Sequence, residues 1–257
     1  MKKLLIKLLP KVLFEYLKLA YYNLKIKKYS FSYKKGNYIT KEKGLWSVES
    51  VEPFYFLVDD IDKYEKYYKI KAGDVVLDAG AHHGGITVIY SQKVKQEGKV
   101  FSFEPDSRNL AVFNKNLDVN SNYNNVEVIE KGLWNKEDTL EFFEAGNVGS
   151  SIFYEGEQSK KVTIQTTSID NFLNEQNNDK LSFIKMDIEG AEIEALEGAV
   201  NSIKKFKPNF AIASYHIVNN VQTYFAVEEF FKSINYPYKT ESFKDGEIIT
   251  YAGSSVE

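Results

Sequence analysis

Three short segments carry the residues whose types and spacing could do chemistry. The first is Asp78-Ala79-Gly80-Ala81-His82-His83-Gly84-Gly85, directly after the apolar run Val75-Val76-Leu77. Glycines at the end of a buried strand let the backbone turn sharply and approach a ligand, and the helix that follows offers unpaired N–H groups. The spacing is neither the dinucleotide fingerprint G-x-G-x-x-G nor a phosphate loop ending in Gly-Lys-Ser/Thr. An acid ahead of G-x-x-x-G-G suits a zwitterionic amino-acid moiety better than a pyrophosphate; the alternative is a purely structural turn. Asp78, Gly80, Ala81, His82 and Gly84 are the candidate contacts.

The second segment is Val100-Phe101-Ser102-Phe103-Glu104-Pro105. A carboxylate at the end of the next strand can accept hydrogen bonds from both hydroxyls of a ribose, and Pro105 stiffens the turn. Together the two segments point to an adenosine-containing cofactor. The third segment, Lys185-Met186-Asp187-Ile188-Glu189-Gly190-Ala191-Glu192, delivers clustered carboxylates to the edge of a sheet where ligands bind. Crowding raises at least one carboxyl pKa, which suits a general base; the same cluster could hold a divalent cation. His216 follows a strand on the same edge, where a neutral imidazole is a competent base, although a lone histidine also serves structure. Trp134 either walls the adenine or fills the core.

The elements that must position these residues alternate. From residue 70 a buried strand is followed by a helix over residues 86–96, a strand over 99–103, a helix over 107–120 and a strand over 126–129. The order βαβαβ predicts a mostly parallel, doubly wound α/β sheet. Short strands over 139–143, 151–154 and 162–165, separated by Gly146, Gly149 and Gly156, read as a β-hairpin insertion. A helix over 168–174, a strand over 181–186, a helix over 191–205, a strand over 210–214 and a helix over 221–233 follow. Strands near 236–242 and 247–251, joined by Lys244-Asp245-Gly246, close the chain as an antiparallel hairpin. Upstream, strands are expected at 30–33, 38–40 and 54–58. The expected division is a basic amphipathic helix over 1–30, a β-containing extension over 31–69 and the main domain over 70–257.

The absence of cysteine among the 257 residues excludes disulfides, thiolate metal sites and cysteine nucleophiles. Residues 1–43 carry twelve lysines against Glu15 and Glu42, about +10, so the rest of a chain of net charge −3 is about −13. An acidic body argues against nucleic acid as a partner. The N-terminal run is too charged to span a bilayer or to be a signal peptide. On a helix, Lys7, Lys11, Glu15, Lys18 and Lys25 fall on one stripe and Leu5, Leu8, Leu9, Val12, Leu13, Tyr16 and Leu17 on the rest, with a kink or a start at Pro10. Such a helix packs on the domain or on a second subunit, or lies through residues 1–28 on an anionic membrane surface. A cytoplasmic location, peripheral to the inner membrane surface in the membrane reading, is expected, and a homo-oligomer stays open.

The three segments in this order, with Gly73-Asp74, Asn116, Asn120, Leu196-Glu197-Gly198-Ala199 and Pro208 before a strand ending at His216, resemble the FkbM-type family of S-adenosylmethionine (SAM)-dependent O-methyltransferases. The resemblance implies a Rossmann-like class I methyltransferase fold and SAM as cofactor. It also implies that Asp78, Gly80 and Glu104 contact the cofactor, that Asp187 and Glu189 are the active-site acids, and that the acceptor is a hydroxyl of a small molecule, glycan or glycolipid. Two features depart from the family. His82-His83-Gly84 stands where Asn-Ile-Gly is usual, and Ala213-Ser214-Tyr215-His216 lacks the acid many relatives show, which disfavours a metal site. Rival readings are an N-methyltransferase on the same fold, for which Asp187-Ile188-Glu189 is the wrong motif, an NAD-dependent oxidoreductase, disfavoured by the loop spacing, and a non-catalytic membrane-associated scaffold.

Overall fold

A computed structural model of the protein describes residues 11–54, 58–120, 124–146, 150–153 and 159–257. Its centre is a seven-stranded sheet built from apolar, β-branched runs too short for helices. The strands are β4 (Val75–Ala79), β5 (Lys99–Phe103), β6 (Val126–Ile129), β10 (Phe183–Met186), β11 (Asn209–Ala213), β14 (Tyr238–Ser242) and β15 (Ile248–Ala252). Their order across the sheet is β14-β15-β11-β10-β4-β5-β6. The pairs from β11 to β6 are parallel, and β15 and β14 add antiparallel. Every residue of β4, β10 and β11 is buried, as expected of strands covered on both faces.

The chain lays down β4, β5 and β6 in one direction, then returns to place β10 and β11 on the other side of β4. The C-terminal ends of β4 and β10 therefore flank the switch point, where an open α/β sheet forms a crevice. One face of the sheet packs Phe101 and Phe103 edge-on against Phe172, with ring centroids 5.0 and 4.9 Å apart. The helices covering the sheet include α3 (Gly85–Val94) and α4 (Ser107–Val119) on one side and α5 (Ile169–Glu175), α6 (Glu192–Glu197) and α7 (Val200–Phe206) on the other.

Upstream, α1 (Lys11–Lys25) leads into an antiparallel meander of β1 (Tyr29–Lys34), β2 (Asn37–Glu42) and β3 (Trp46–Ser50), then α2 (Val58–Tyr64). Strand β3 is an edge, and side-chain amides of the main domain occupy its free backbone groups. Gln92 bonds both N–H and C=O of Ser47, Asn120 both groups of Glu49, and Asn116 accepts from the Val51 N–H at 2.9 Å.

The structure departs from the sequence reading at several elements. Val58 opens a helix rather than ending a strand, and residues 55–57 of that expected strand lie outside the described residues. The helix expected over 191–205 is two, because the Asp170 carboxylate accepts the N–H groups of Asn201 and Ser202 and so starts a new helix there. The helix expected from 221 begins at α8 (Tyr224–Ser233); Asn219 and Asn220, at φ 52° and 64°, instead turn a short hairpin of β12 (Ile217–Val218) and β13 (Val221–Gln222). In the insertion, β7 (Gly132–Leu133), β8 (Asp138–Glu144) and β9 (Lys160–Thr167) form a three-stranded sheet in the order β7-β9-β8. Ser151 makes one bridge to Phe143, and the expected strand end at Tyr154 and turns at Gly149 and Gly156 lie outside the described residues. The expected start at Pro10 also lies outside them.

Helix α1 does not pack its leucine-rich face on the domain. Glu15 and Leu19 are buried, whereas Leu13, Tyr16, Leu17, Tyr21 and Leu24 are exposed. The cause is tertiary: the Asn23 amide bonds the Phe31 N–H at 2.7 Å and its C=O at 2.8 Å, which fixes the helix's rotation on β1.

Candidate functional site

The β4 and β10 ends approach until Gly80, at φ +76°, has no room for a side chain; a Cβ there would stand 1.8 Å from the Asp187 carbonyl oxygen. A left-handed glycine is what such a crossing requires. Lys185, buried in β10, donates to the carbonyls of Gly80 at 2.7 Å and Ala79 at 3.2 Å and lies 3.2 Å from the Asp78 carboxylate. Asp78 is wholly buried and also accepts from the Thr87 hydroxyl at 2.6 Å. It therefore stands behind the loop, lines neither cleft beside it, and anchors the loop from below.

Glu104 ties that loop to the next strand. Its carboxylate accepts from the N–H groups of His82 at 2.8 Å and Asp106 at 2.9 Å. Burial pushes its carboxyl up to about 7, with those hydrogen bonds opposing. Glu104 and Pro105 line a cleft of about 680 Å³ whose apolar wall includes Phe103, Leu133, Phe142 and Ile164. The last two come from the insertion. Trp134 lies outside this wall, with its ring 6.3 Å from that of Phe153. At Gly84 a Cβ would meet the Phe113 ring at 2.1 Å, so its missing side chain lets α4 pack closely.

A second cleft, of about 670 Å³, shares Gly80, His82 and Asp187 with the first. Ala81 and Lys185 belong to its wall, and Phe54, Asp60 and Tyr64 supply the far side from the N-terminal extension. Asp60 is pushed up to about 7, by burial first and by the nearby Glu247 charge second. His82, at φ +51°, stacks on His83 with ring centroids 3.7 Å apart. Burial lowers the His82 imidazole to about 3, so it is neutral, and its buried Nε2 has no hydrogen-bond partner. The His83 carbonyl accepts from Asn116 at 2.7 Å, the same amide that holds Val51.

Where the clefts meet, Asp187 accepts from the Tyr64 hydroxyl at 2.9 Å. His216 Nε2 lies 3.5 Å from Asp187 Oδ1 and 3.6 Å from Glu189 Oε2, and its Nδ1 lies 3.0 Å from Glu192 Oε1. Burial opposes charge on the His216 ring, but Glu192, Glu189 and Asp187 outweigh it and push it up to about 11. The neutral imidazole base expected from the sequence is thus an imidazolium in this arrangement. Burial raises the Glu189 carboxyl, which strengthens it as a proton acceptor. The structure therefore brings together Gly80, His82, Glu104, Pro105, Asp187, Glu189 and His216. Sequence reasoning missed Asp60 and Tyr64, which come from an element with no sequence signal, and Phe142 and Ile164, whose alternation marked strands but not a cofactor wall.

The sequence model described as "Methyltransferase FkbM domain" matches residues 78–238. The chain belongs to the FkbM methyltransferase family. Among solved structures, it is similar to methyltransferase FkbM from Methylobacillus flagellatus KT, with a TM-score of 0.54 and 21% identity. That match covers 72% of this chain and 45% of the other, so this chain spans under half the length of that relative. A protein assigned as an rRNA methylase from Clostridium thermocellum is similar with a TM-score of 0.51 and 15% identity over 77% of this chain and 94% of that one. No curated protein matches the sequence significantly. The fold of this FkbM domain is the class I Rossmann-like fold of SAM-dependent methyltransferases, and the crevice just described is at its switch point.

Proposed function

We propose that the protein transfers the methyl group of SAM to a hydroxyl, and that the hydroxyl belongs to a sugar in a glycan or glycolipid. The observation that carries the reading is the junction at Asp187, where a cleft with a ribose-accepting carboxylate opens onto a cluster of acids and an imidazole. Adenosine occupies the first cleft, with its ribose hydroxyls on Glu104 and its base against Phe142 and Ile164. The amino-acid tail passes Gly80 and His82 into the second cleft, where Asp60 and Lys185 offer both signs of charge. Methyl transfer is then an in-line displacement dominated by positioning. The acceptor oxygen forms the new C–O bond as the S–CH3 bond breaks, S-adenosylhomocysteine leaves with the sulfur electron pair, and the hydroxyl proton passes to Glu189 or Asp187. His216 orients both carboxylates and balances their charge.

Support for an acceptor at a membrane surface comes from α1. Leu13, Leu17, Tyr21 and Leu24 recur every three or four residues on its outer face, joined by the exposed Tyr16, with Leu24 81% exposed, and Lys18 and Lys25 flank them. An apolar stripe beside lysines fits an anionic lipid surface, whereas pairing two such faces would bring two segments of about +10 together. Among the described residues no helix is long and apolar enough to cross a membrane.

Incubation with methyl-labelled SAM and fractionated glycans and lipids tests the reaction. Label recovered as a sugar methyl ether, and lost with Asp187→Asn, supports it. Label on nitrogen, or transfer indifferent to that substitution, refutes it.

A further inference from the structure

We infer that Asp187, Glu189 and His216 hold a divalent cation that also takes the acceptor's hydroxyl oxygen; the second clause rests on the methyl-transfer reading above, and the first does not. One ligand atom from each side chain lies within 4.8 Å of the other two. The 3.5 and 3.6 Å separations of His216 Nε2 from the two carboxylates are long for hydrogen bonds. They lie at the upper end of the roughly 3–3.5 Å that separates neighbouring ligand atoms when each stands about 2.1 Å from one cation, so a small inward shift would close the set.

The second observation is a concentration of unsatisfied polar atoms. Asp187 Oδ1, Glu192 Oε2 and both ring nitrogens of His216 are buried without an aligned hydrogen-bond partner, and His216 is 6% exposed. Buried polar groups are nearly always paired; Glu192 Oε1 faces Nδ1, but Asp187 Oδ1 and His216 Nε2, 3.5 Å apart, call for a partner that the side chains do not supply. Behind the imidazole, the wholly buried Glu192 accepts the backbone N–H groups of Ile188 and Gly190 at 3.3 and 3.2 Å and presents Oε1 to Nδ1. A carboxylate behind a histidine fixes the ring so that the opposite nitrogen faces a metal, and the cation takes the place of the proton that this nitrogen carries in the metal-free arrangement. Glu189 reaches the cluster from a left-handed backbone, φ +54°, which a non-glycine residue adopts at a cost that the surrounding fold must offset.

The donor set selects the ion. One imidazole with two carboxylates suits Mn²⁺, Fe²⁺, Co²⁺ or Zn²⁺ better than the all-oxygen cage of Ca²⁺. The strand end Ala213-Ser214-Tyr215-His216, whose missing acid disfavoured a metal site in the sequence, supplies the third ligand through His216. Three protein ligands leave positions for acceptor oxygens, and a hydroxyl on the cation loses its proton more readily as the C–O bond forms.

The experiment is a Mn²⁺ titration of the full, metal-stripped chain without SAM, read by electron paramagnetic resonance. One Mn²⁺ per chain with nitrogen hyperfine coupling is expected. Affinity should fall at least ~10-fold, one ligand's worth of binding, in His216→Ala and in Glu189→Gln. Glu104→Gln should bind Mn²⁺ as wild type does while losing SAM. Absence of stoichiometric binding, or bound Mn²⁺ without nitrogen coupling, overturns the site even if a variant fails to fold. Mn²⁺ binding without transfer to any hydroxyl would uphold the cation site and refute the acceptor clause alone.

Discussion

The proposed role of Glu104 sets a pH dependence whose size follows from its burial. The carboxyl moves from 4.5 to about 7 on folding because it is 4% exposed. A folded-state value above the unfolded one means that Glu104 favours the fold below pH 4.5 and that this contribution is lost as pH rises to about 7, roughly 3 kcal/mol in all. A ribose donating to the carboxylate needs the ionised form, so SAM binds only that fraction of the protein. With a midpoint of about 7, the ionised fraction is about one-eleventh at pH 6 and about ten-elevenths at pH 8, so the dissociation constant should fall about tenfold between them. Calorimetry at both pH values, in two buffers of different ionisation enthalpy, reads the affinity and the proton released on binding. In Glu104→Gln the affinity should drop and its pH slope vanish. A flat wild-type profile refutes the reasoning. A slope that survives Glu104→Gln moves the titration to Asp60, which is also pushed up to about 7, and refutes the assignment to Glu104.

Gly80→Ala places a methyl group 1.8 Å from a backbone oxygen at a left-handed position, so the β4 and β10 ends must part; the SAM-induced rise in melting temperature should disappear while circular dichroism stays that of a folded α/β protein. Lys185→Met leaves Asp78 buried opposite no cation and should destabilise by about 3–5 kcal/mol in denaturant titration, with part recovered on adding Asp78→Asn. Flotation with anionic vesicles should be lost in a Leu17→Glu, Leu24→Glu double variant, and wild-type flotation equal on neutral vesicles would refute the lipid reading of α1.

The sheet was legible because β4, β5, β10 and β11 are buried on both faces, which forces continuous apolar runs, and because the C-terminal hairpin announces its turn with Asp245-Gly246. The loop and both acidic segments were legible because glycine and strand-end carboxylates have few other reasons to stand there. Helix α2 was not: Val58, Ile61 and Tyr64 are its whole buried face, too few residues for a period to emerge. Neither was the rotation of α1, which its own Asn23 decides by bonding the backbone of a neighbouring strand. The partners of Asp78 were not legible, because nothing in the sequence places Thr87 and Lys185 against it. The charge on His216 depends on Glu192 arriving beneath it from the next helix, a contact that spacing alone does not reveal.

Asn116 makes the ligand loop audible at a distance. One amide group grips the His83 carbonyl on one side and the Val51 N–H on the other, so a shift of the histidine pair is transmitted to the end of the meander through a single planar group. The Val51 amide thereby becomes a natural reporter: its hydrogen exchange should slow when the crevice fills, giving a readout of occupancy that needs neither substrate nor turnover.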